Sequence, residues 1–414
     1  MSRIAFLLNN DFQFDSRVQR EALALTQAGH TVTVFCTRDK AKQLPLISEK
    51  EGVQIRRTFR KEVHSFKPLT LRHVAGLTSI LLSQDIRQGS PFDVVHAHDA
   101  NMLLVGWVLA RAWGARLIYD SHELWDSMYQ FEQEQTASLP IPAGKKRKTL
   151  GEIERTRQVE RWLLKRAHAL ISVNDSLCRM LNDTAQLPPE RCVSLRNTAE
   201  YFASPEKPLR LLHEHFQLNP DTRVILYQGE IKPARGIEPL LSALELLPNA
   251  NLAVVMMGSI PSATYTQQLK DRIAASDQLR GRVLFKERVT RSELLAWTAS
   301  ADLGVAPILN IRANNYYCLP NKLFEYLQAE VPCATSNFPE LKAIVEGYAV
   351  GFTFNPDEPQ TLADALSAFF ADPTRAAQYR ENARKAKHEL SWEQERNKLI
   401  ALYQTLDQAL EPAH

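Results

Sequence analysis

At 414 residues the chain exceeds what one hydrophobic core ordinarily organises, so two domains of about 150–200 residues each are expected. Hydrophobic residues make up 44% and charged residues 23%, the balance of a folded globular chain, which excludes a disordered or fibrous one. A formal charge of +3 does not indicate a nucleic-acid partner, and five scattered cysteines without a C-x-x-C pair read as reduced thiols, neither a disulfide framework nor a zinc site.

The opening "MSRIAFLLNN" has one basic residue and a short apolar run, which fits a buried strand and not a signal peptide. Arg17 to Gly29 is an amphipathic helix stopped by its glycine, and "HTVTVFC" is the next strand. "FDVVHAH", "ARLIYDSH" and "HALISVN" follow as strands, separated by helical stretches such as "ANMLLVGWVLARAWG". Strands alternating with helices predict an α/β domain with a parallel sheet covered on both faces. No apolar run reaches the roughly 18 residues of a membrane span, so a cytoplasmic protein is expected.

The alternation lapses after Arg196, in "RNTAEYFASPEKP", and restarts with "RVILYQGE", "GIEPLLSALELL", "NLAVVMMG", "GRVLFKE", "ADLGVAP", "KLFEYLQA" and "VPCATSN". The expected domains are therefore 1–196 and 197–390, two Rossmann-like units facing a central cleft. Residues 391–414 form a closing helix with an apolar stripe through Trp392, Leu399, Leu402 and Tyr403, which either caps its own domain or crosses back to the first. Between Trp125 and Leu150, the basic run "GKKRK" is compatible with a solvated loop, an anionic membrane surface at the inner face of the membrane, or an acidic partner.

Ligands of open α/β sheets collect at the carboxyl ends of strands. Two such ends in the first domain are polar, His96 to Asp99 and Asp120 to Glu123; if their strands are neighbours, His98, Asp99, His122 and Glu123 converge. His96 and His98 have a spacing found among metal ligands, and Asp99 could add a carboxylate, but a metal site also needs convergence and second-shell support, and no metal is expected. In the second domain, "YQGEIKPARGIEPLL" runs from a strand through Gly229 to a helix beginning near Gly236, with Arg235 beside that start. Further on, in "LPNKLFEY", Pro320 favours a helix start, Asn321 is the expected cap, and Lys322 falls in the first turn. A cation there opposes the helix dipole by about 0.3–1 kcal/mol, and an i,i+3 pair with Glu325 returns only about 0.2–0.5 kcal/mol. A diphosphate on Lys322 and the helix N–H groups, with Glu325 on ribose hydroxyls, removes the conflict.

Taken in order, "DSRVQREALALTQAGHTVTVF", "VVHAHD", "LIYDSHEL", "RAHALISVNDSL", "LYQGEIKPARGIEPLLSAL", "ADLGVAPI", "LPNKLFEYLQAEVPCATSN" and "SWEQERNKLIALY" resemble the GT-B retaining glycosyltransferases of family 4, the "glycosyl transferases group 1" type. The resemblance covers nearly the whole chain. It implies a second domain that binds a nucleotide-diphosphate sugar and a first domain that binds the acceptor. By position it makes His122, Arg235 and Lys322 catalytic. Gly229, Arg235, Val289, Asn321, Lys322 and Glu325 become donor-binding residues, with Val289 near the nucleobase and His122 near the transferred sugar. Asp15, Arg17, His98 and Asp99 fall on the acceptor side. Two positions depart from the family pattern: Glu230 stands where an arginine is common, and Tyr317 where many members carry a second glutamate.

The implied reaction is transfer of a sugar to an acceptor hydroxyl with retention, without metal or other cofactor, in agreement with the absence of a D-x-D pair. A glycan or lipid-linked acceptor in surface polysaccharide assembly is the family default, with peripheral membrane contact compatible with it. A nucleotide-sugar epimerase on the same fold and a non-catalytic nucleotide-sugar binder are the competing readings. A dinucleotide oxidoreductase is disfavoured, because the first strand leads into "NNDFQFDSR" without G-x-G-x-x-G.

Overall fold

The computed structural model describes all residues except 14, 39–41, 61–91, 125–149, 206–207, 248–250 and 409–414, so the GKKRK run lies outside the described residues. The chain divides into two compact units, one of Met1–Arg196 with Arg396–His414 and one of Asn197–Glu395. Among the described residues, no helix is long and apolar enough to cross a membrane.

The first unit contains strands β1 (Arg3–Leu7), β2 (Thr31–Arg38), β3 (Ile47–Lys50), β4 (Val53–Arg60), β5 (Val94–His98), β6 (Arg116–Ser121), β7 (Ala169–Ser172) and β8 (Cys192–Ser194). Its helices are α1 (Ser16–Gln27), α2 (Ala100–Trp113), α3 (Leu150–Leu164) and α4 (Asp175–Ala185). The sheet order is β3-β4-β2-β1-β5-β6-β7-β8, and every pairing is parallel except β3 with β4. Strand β1 is central and buried on both faces, so it reads as a continuous apolar run through Ile4, Ala5, Phe6 and Leu7. Helix α1 starts where the Asp15 carboxylate accepts the Val18 N–H, and α2 ends on Gly114 in the left-handed conformation.

The antiparallel β3–β4 pair corrects the all-parallel expectation. Glu51 and Gly52 both take positive φ, 52° and 80°, the two-residue turn whose twist suits a tight hairpin. Glu-Gly is a weaker hairpin signal than Asn-Gly, and the exposed residues of β3 carry no strand-like alternation.

The second unit contains β9 (Arg223–Gln228), β10 (Leu252–Met257), β11 (Val283–Lys286), β12 (Leu303–Ala306), β13 (Cys333–Ser336) and β14 (Gly351–Phe354), ordered β11-β10-β9-β12-β13-β14 and wholly parallel. Its helices are α5 (Leu211–Phe216), α6 (Ile237–Glu245), α7 (Ala263–Ala275), α8 (Arg291–Ala299), α9 (Ala313–Tyr316), α10 (Asn321–Gln328), α11 (Pro339–Gly347), α12 (Pro359–Ala371) and α13 (Pro373–Glu389). The last helix, α14 (Trp392–Gln408), belongs to the first unit from Arg396 onward. There its stripe of Leu399, Leu402, Tyr403 and Leu406 is buried, and Tyr403 Oη lies 2.8 Å from His96 Nδ1 on β5.

Strand order reverses between β1 and β5 in one unit and between β9 and β12 in the other, which opens a crevice beyond the strand ends at each switch point. In the second unit Gly304 on β12 lets α10 approach, since a Cβ there would stand 2.4 Å from the Tyr326 ring. The Tyr326 hydroxyl lies 3.0 Å from Leu226 O and 3.1 Å from Val305 O, tying α10 to both strands beside the crevice.

Candidate active site

Strand β9 carries the second unit's site. Beyond Gln228 the chain leaves the sheet through Gly229 at φ 126° and reaches α6 through Gly236 at φ 75°. Space is short: a Cβ on Gly236 would stand 1.5 Å from Pro307 O, and one on Gly258 would stand 1.8 Å from Gly229 O. Both glycines are there because backbones meet, and together they pin the loop over the strand ends.

Lys322, the second residue of α10, extends along this loop. Its Nζ lies 3.7 Å from the Tyr227 ring centroid, and a Cβ on Gly229 would lie 3.7 Å from the same nitrogen. Burial and then the neighbouring Arg235 guanidinium lower the ammonium to about 7, while Glu325 acts in the opposite sense. Arg235 is exposed and lies 3.9 Å from Glu230, which also pairs with Lys232. The acidic residue at the family's arginine position is thus engaged by two cations of its own loop.

Glu325 accepts a hydrogen bond from Gln228 Nε2, and Gln228 Oε1 accepts one from the Thr298 hydroxyl at 2.9 Å. Val289 lies in the loop between β11 and α8 and packs partly against the hydrophobic core. Asn321 does not cap α10; Pro320 holds the cap position, and Asn321 Oδ1 accepts from Asn197 Nδ2 at 2.8 Å. The proline's fixed φ of −72° already sets the chain's entry into the helix, so no side-chain cap is used. Tyr317 ends the short α9 and packs edge-on against Tyr316 at 4.9 Å.

In the first unit, β5 and β6 are neighbours, with His98 opposite Asp120 in the register. Asp120, wholly buried, is the centre of the cluster: Arg17 Nη2 lies 3.1 Å from its Oδ1, and His98 Nδ1 and His122 Nε2 each lie 3.4 Å from its Oδ2. His96 Nε2 lies 3.6 Å from the same oxygen. Burial works against the Asp120 charge, but Arg17 and His122 outweigh it and hold the carboxyl well below its usual range. Glu21, also buried, is pushed up to about 8 by desolvation despite Arg17 Nε at 2.9 Å.

His122 is held from two sides. Asp99 Oδ1 accepts its backbone N–H at 3.1 Å, Asp99 Oδ2 lies 3.6 Å from Nδ1, and Asp120 flanks Nε2. Burial disfavours the imidazolium, yet the two carboxylates raise it to about 10. Asp99 itself takes φ 66°, an unusual conformation for a residue with a side chain, at the turn into α2.

Three residues read as acceptor-side have internal partners. Asp15 caps α1 and accepts from Asn10 Nδ2 at 2.8 Å; Arg17 is buried, with Nη1 donating to Leu195 O at 2.7 Å besides its two carboxylates; His98 is buried and stacked on His96 at 4.4 Å. Glu123 is exposed, so Asp120 and not Glu123 completes the convergence expected at these strand ends. Glu21, His96, His98 and Asp120 bring donor atoms within 4.8 Å of one another, but the Arg17 guanidinium already meets both carboxylates. The group is therefore an internal salt-bridge network. Sequence reasoning missed Glu21, Gln228 and Thr298; for Glu21 the signal was its i+4 spacing from Arg17, whereas a lone Gln at a strand end gives none.

Each of the two units is Rossmann-like and carries a polar strand-end site, an α/β architecture that comparison with known proteins specifies. The glycosyl transferase 4-like domain matches residues 15–198, and the glycosyl transferases group 1 domain matches residues 210–386. The chain belongs to the group 1 glycosyltransferases of GT-B fold and is a glycosyltransferase. It is similar to the D-inositol 3-phosphate glycosyltransferase of Xylanimonas cellulosilytica, at 24% identity over 400 residues, covering 92% of this chain and 88% of the relative. Among solved structures, sucrose-phosphate synthase from Thermosynechococcus elongatus has a TM-score of 0.74 at 18% identity, covering 99% of this chain and 100% of the other. The Anabaena protein HepE in complex with UDP-glucose has a TM-score of 0.68 at 16% identity, covering 99% and 100%. At these identities both structures show the fold they share with this chain.

Proposed function

We propose that this glycosyltransferase moves a sugar from a nucleotide diphosphate sugar to an acceptor hydroxyl with retention of anomeric configuration. The observation that carries the reading is the pairing of Lys322 with Arg235 beside the N-terminus of α10. Burial, and after it the Arg235 charge, lowers the Lys322 ammonium to about 7, so the two cations form a site that gains by receiving a polyanion. Lys322, Arg235, Gly229 and the N–H groups of the α10 first turn would hold the diphosphate, Glu325 the ribose, and the loop at Val289 the base. That HepE was crystallised with UDP-glucose supports this class of donor.

As the glycosidic bond breaks, negative charge grows on the leaving diphosphate, and Lys322, Arg235 and the helix N–H groups stabilise it there. That arrangement needs no divalent ion in the donor site. In front-face transfer the departing phosphate oxygen takes the acceptor hydroxyl's proton, so no side chain is assigned as base. His122, as a fixed imidazolium, suits a hydrogen bond to a sugar hydroxyl better than proton abstraction. A glycan or lipid-linked acceptor fits the family. Peripheral membrane contact is supported by the exposed end of α3, with Arg161 and Trp162, and the turn after it, with Lys165 and Arg166, all solvent-facing.

Calorimetric binding of UDP, GDP and ADP without added metal, to wild type and to Lys322→Ala, tests the donor site. One nucleotide should bind, and the variant should lose most of that affinity while remaining folded. Equal binding by both proteins removes Lys322 from the site.

A further inference from the structure

Gln228 is the last residue of β9, after a run of Val224, Ile225, Leu226 and Tyr227. Its side chain is 2% exposed, and that of Thr298 is fully buried. Nothing in the sheet requires an amide here: the Gln228 backbone N–H is met at 3.3 Å by the Tyr326 hydroxyl, independently of the side chain. Buried polar groups are costly unless partnered, and the partner of this amide is the carboxylate of Glu325, on a different element.

The direction of the amide follows from the Glu325 carboxylate, which can only accept, and its other end is placed by Thr298. The Thr298 hydroxyl, on α8, lies 2.9 Å from Gln228 Oε1 and 2.7 Å from Leu294 O, and its one proton is shared between these two acceptors. With the carbonyl oxygen held there, Nε2 is turned toward Glu325 Oε2. The reverse orientation would set carbonyl oxygen against carboxylate oxygen, which is repulsive. A side chain that otherwise rotates about its last torsion is thereby held in one plane.

We infer that Gln228 and Thr298 are positioning residues that set the ribose selectivity of the donor site, by fixing the plane in which Glu325 meets a vicinal diol. The inference rests on the reading of Glu325 as the residue that holds the ribose. Charge-assisted hydrogen bonds of this kind are strongly directional, so a carboxylate out of plane discriminates poorly between a ribose and its deoxy forms.

The test compares the ribonucleoside diphosphate that binds, among UDP, GDP and ADP, with its 2′,3′-dideoxy counterpart, by calorimetry on the full chain. Wild type should prefer the ribonucleotide by about tenfold or more, the scale of a hydrogen bond to a charged group. In Gln228→Leu and in Thr298→Val the preference should fall to about threefold or less. Affinity for the dideoxy nucleotide should stay at the wild-type value, which also reports an intact site. Thr298→Ser, which keeps the donor, should retain the preference. An undiminished preference in both variants overturns the relay and leaves the donor reading standing. Equal weakening of both nucleotides assigns the pair a purely structural role and overturns it too. No preference in wild type removes Glu325 from the ribose, and the relay with it.

Discussion

Lys322 Nζ lies 3.7 Å from the centroid of the Tyr227 ring, so an aromatic face near the end of β9 supports an ammonium that burial and Arg235 both disfavour. In the free protein that ammonium is poised near pH 7. A bound diphosphate adds negative charge beside it and raises its pKa. Binding should therefore take up close to one proton at pH 8 and very little at pH 6, where Lys322 is already charged. Nucleotide affinity should fall as pH rises above about 7, the value in the free protein. Calorimetry at each pH, in two buffers of different ionisation enthalpy, measures the uptake directly. A proton count of zero at both values would separate Lys322 from the phosphate.

His122 should behave in the opposite manner. The groups that face it are Asp99 and Asp120 at Nδ1 and Nε2, His98 at 3.4 Å, and, through the same cluster, Arg17 and Glu21 of α1. Its folded pKa is raised, so its stabilisation is fully present below the unfolded value near 6.5 and is lost as pH rises through about 10. Imidazole nitrogen shifts in ¹⁵N-histidine-labelled protein should show His122 as imidazolium at pH 8. Asp99→Asn should move the titration down toward the ordinary range. A neutral ring at pH 8 in wild type would contradict the two-carboxylate clamp.

The alternation of most strands and helices along the chain, and the second unit's candidate residues, were legible because both signals are periodic or local. Apolar runs such as "RVILYQ" and "NLAVVMM" mark buried parallel strands, and the unusual cation in the first turn of α10 stands out against the helix dipole. What escaped was non-local. Nothing within α1 says that Arg17 reaches Asp120 on β6, since 103 residues separate them and only the adjacency of β1, β5 and β6 brings them together. Gln228 was hidden for the same reason: its partners, Thr298 and Glu325, come from α8 and α10. Asn321 looked like a cap because Asn commonly is one, but the proline before it occupies the position.

Removal of the Arg17 guanidinium should be felt as stability. Arg17→Met removes the guanidinium shared by Asp120 and Glu21, leaving Asp120 with His122 and Glu21 buried without its ion-pair partner. Breaking a buried pair from one side costs about 3–5 kcal/mol, because the remaining charge has no water to return to. Denaturant unfolding of the first unit should shift by that order. Adding Glu21→Gln, which removes the buried acid that Arg17 served, should recover part of the loss. A change below about 1 kcal/mol in the single variant would mean that Arg17 is not the cation on which the cluster depends.

Two glycines with nearly the same backbone conformation separate strain from collision. Gly114 after α2 has φ 66° and nothing within 4 Å of a built Cβ, whereas Gly236 before α6 has φ 75° and Pro307 O at 1.5 Å. Gly114→Ala meets only the left-handed penalty, about 1–2 kcal/mol, and should leave nucleotide binding unchanged. Gly236→Ala meets that penalty and a backbone oxygen that cannot rotate aside, so the β9–α6 loop must shift away from β12. Its stability loss should exceed that of Gly114→Ala, and nucleotide affinity should fall by about tenfold or more because Arg235 and the loop at Gly229 move together. Thermal unfolding and calorimetry on the two variants, side by side, measure both differences. Equal stability losses with equal nucleotide affinity would mean that the close approach to Pro307 does not shape the donor site.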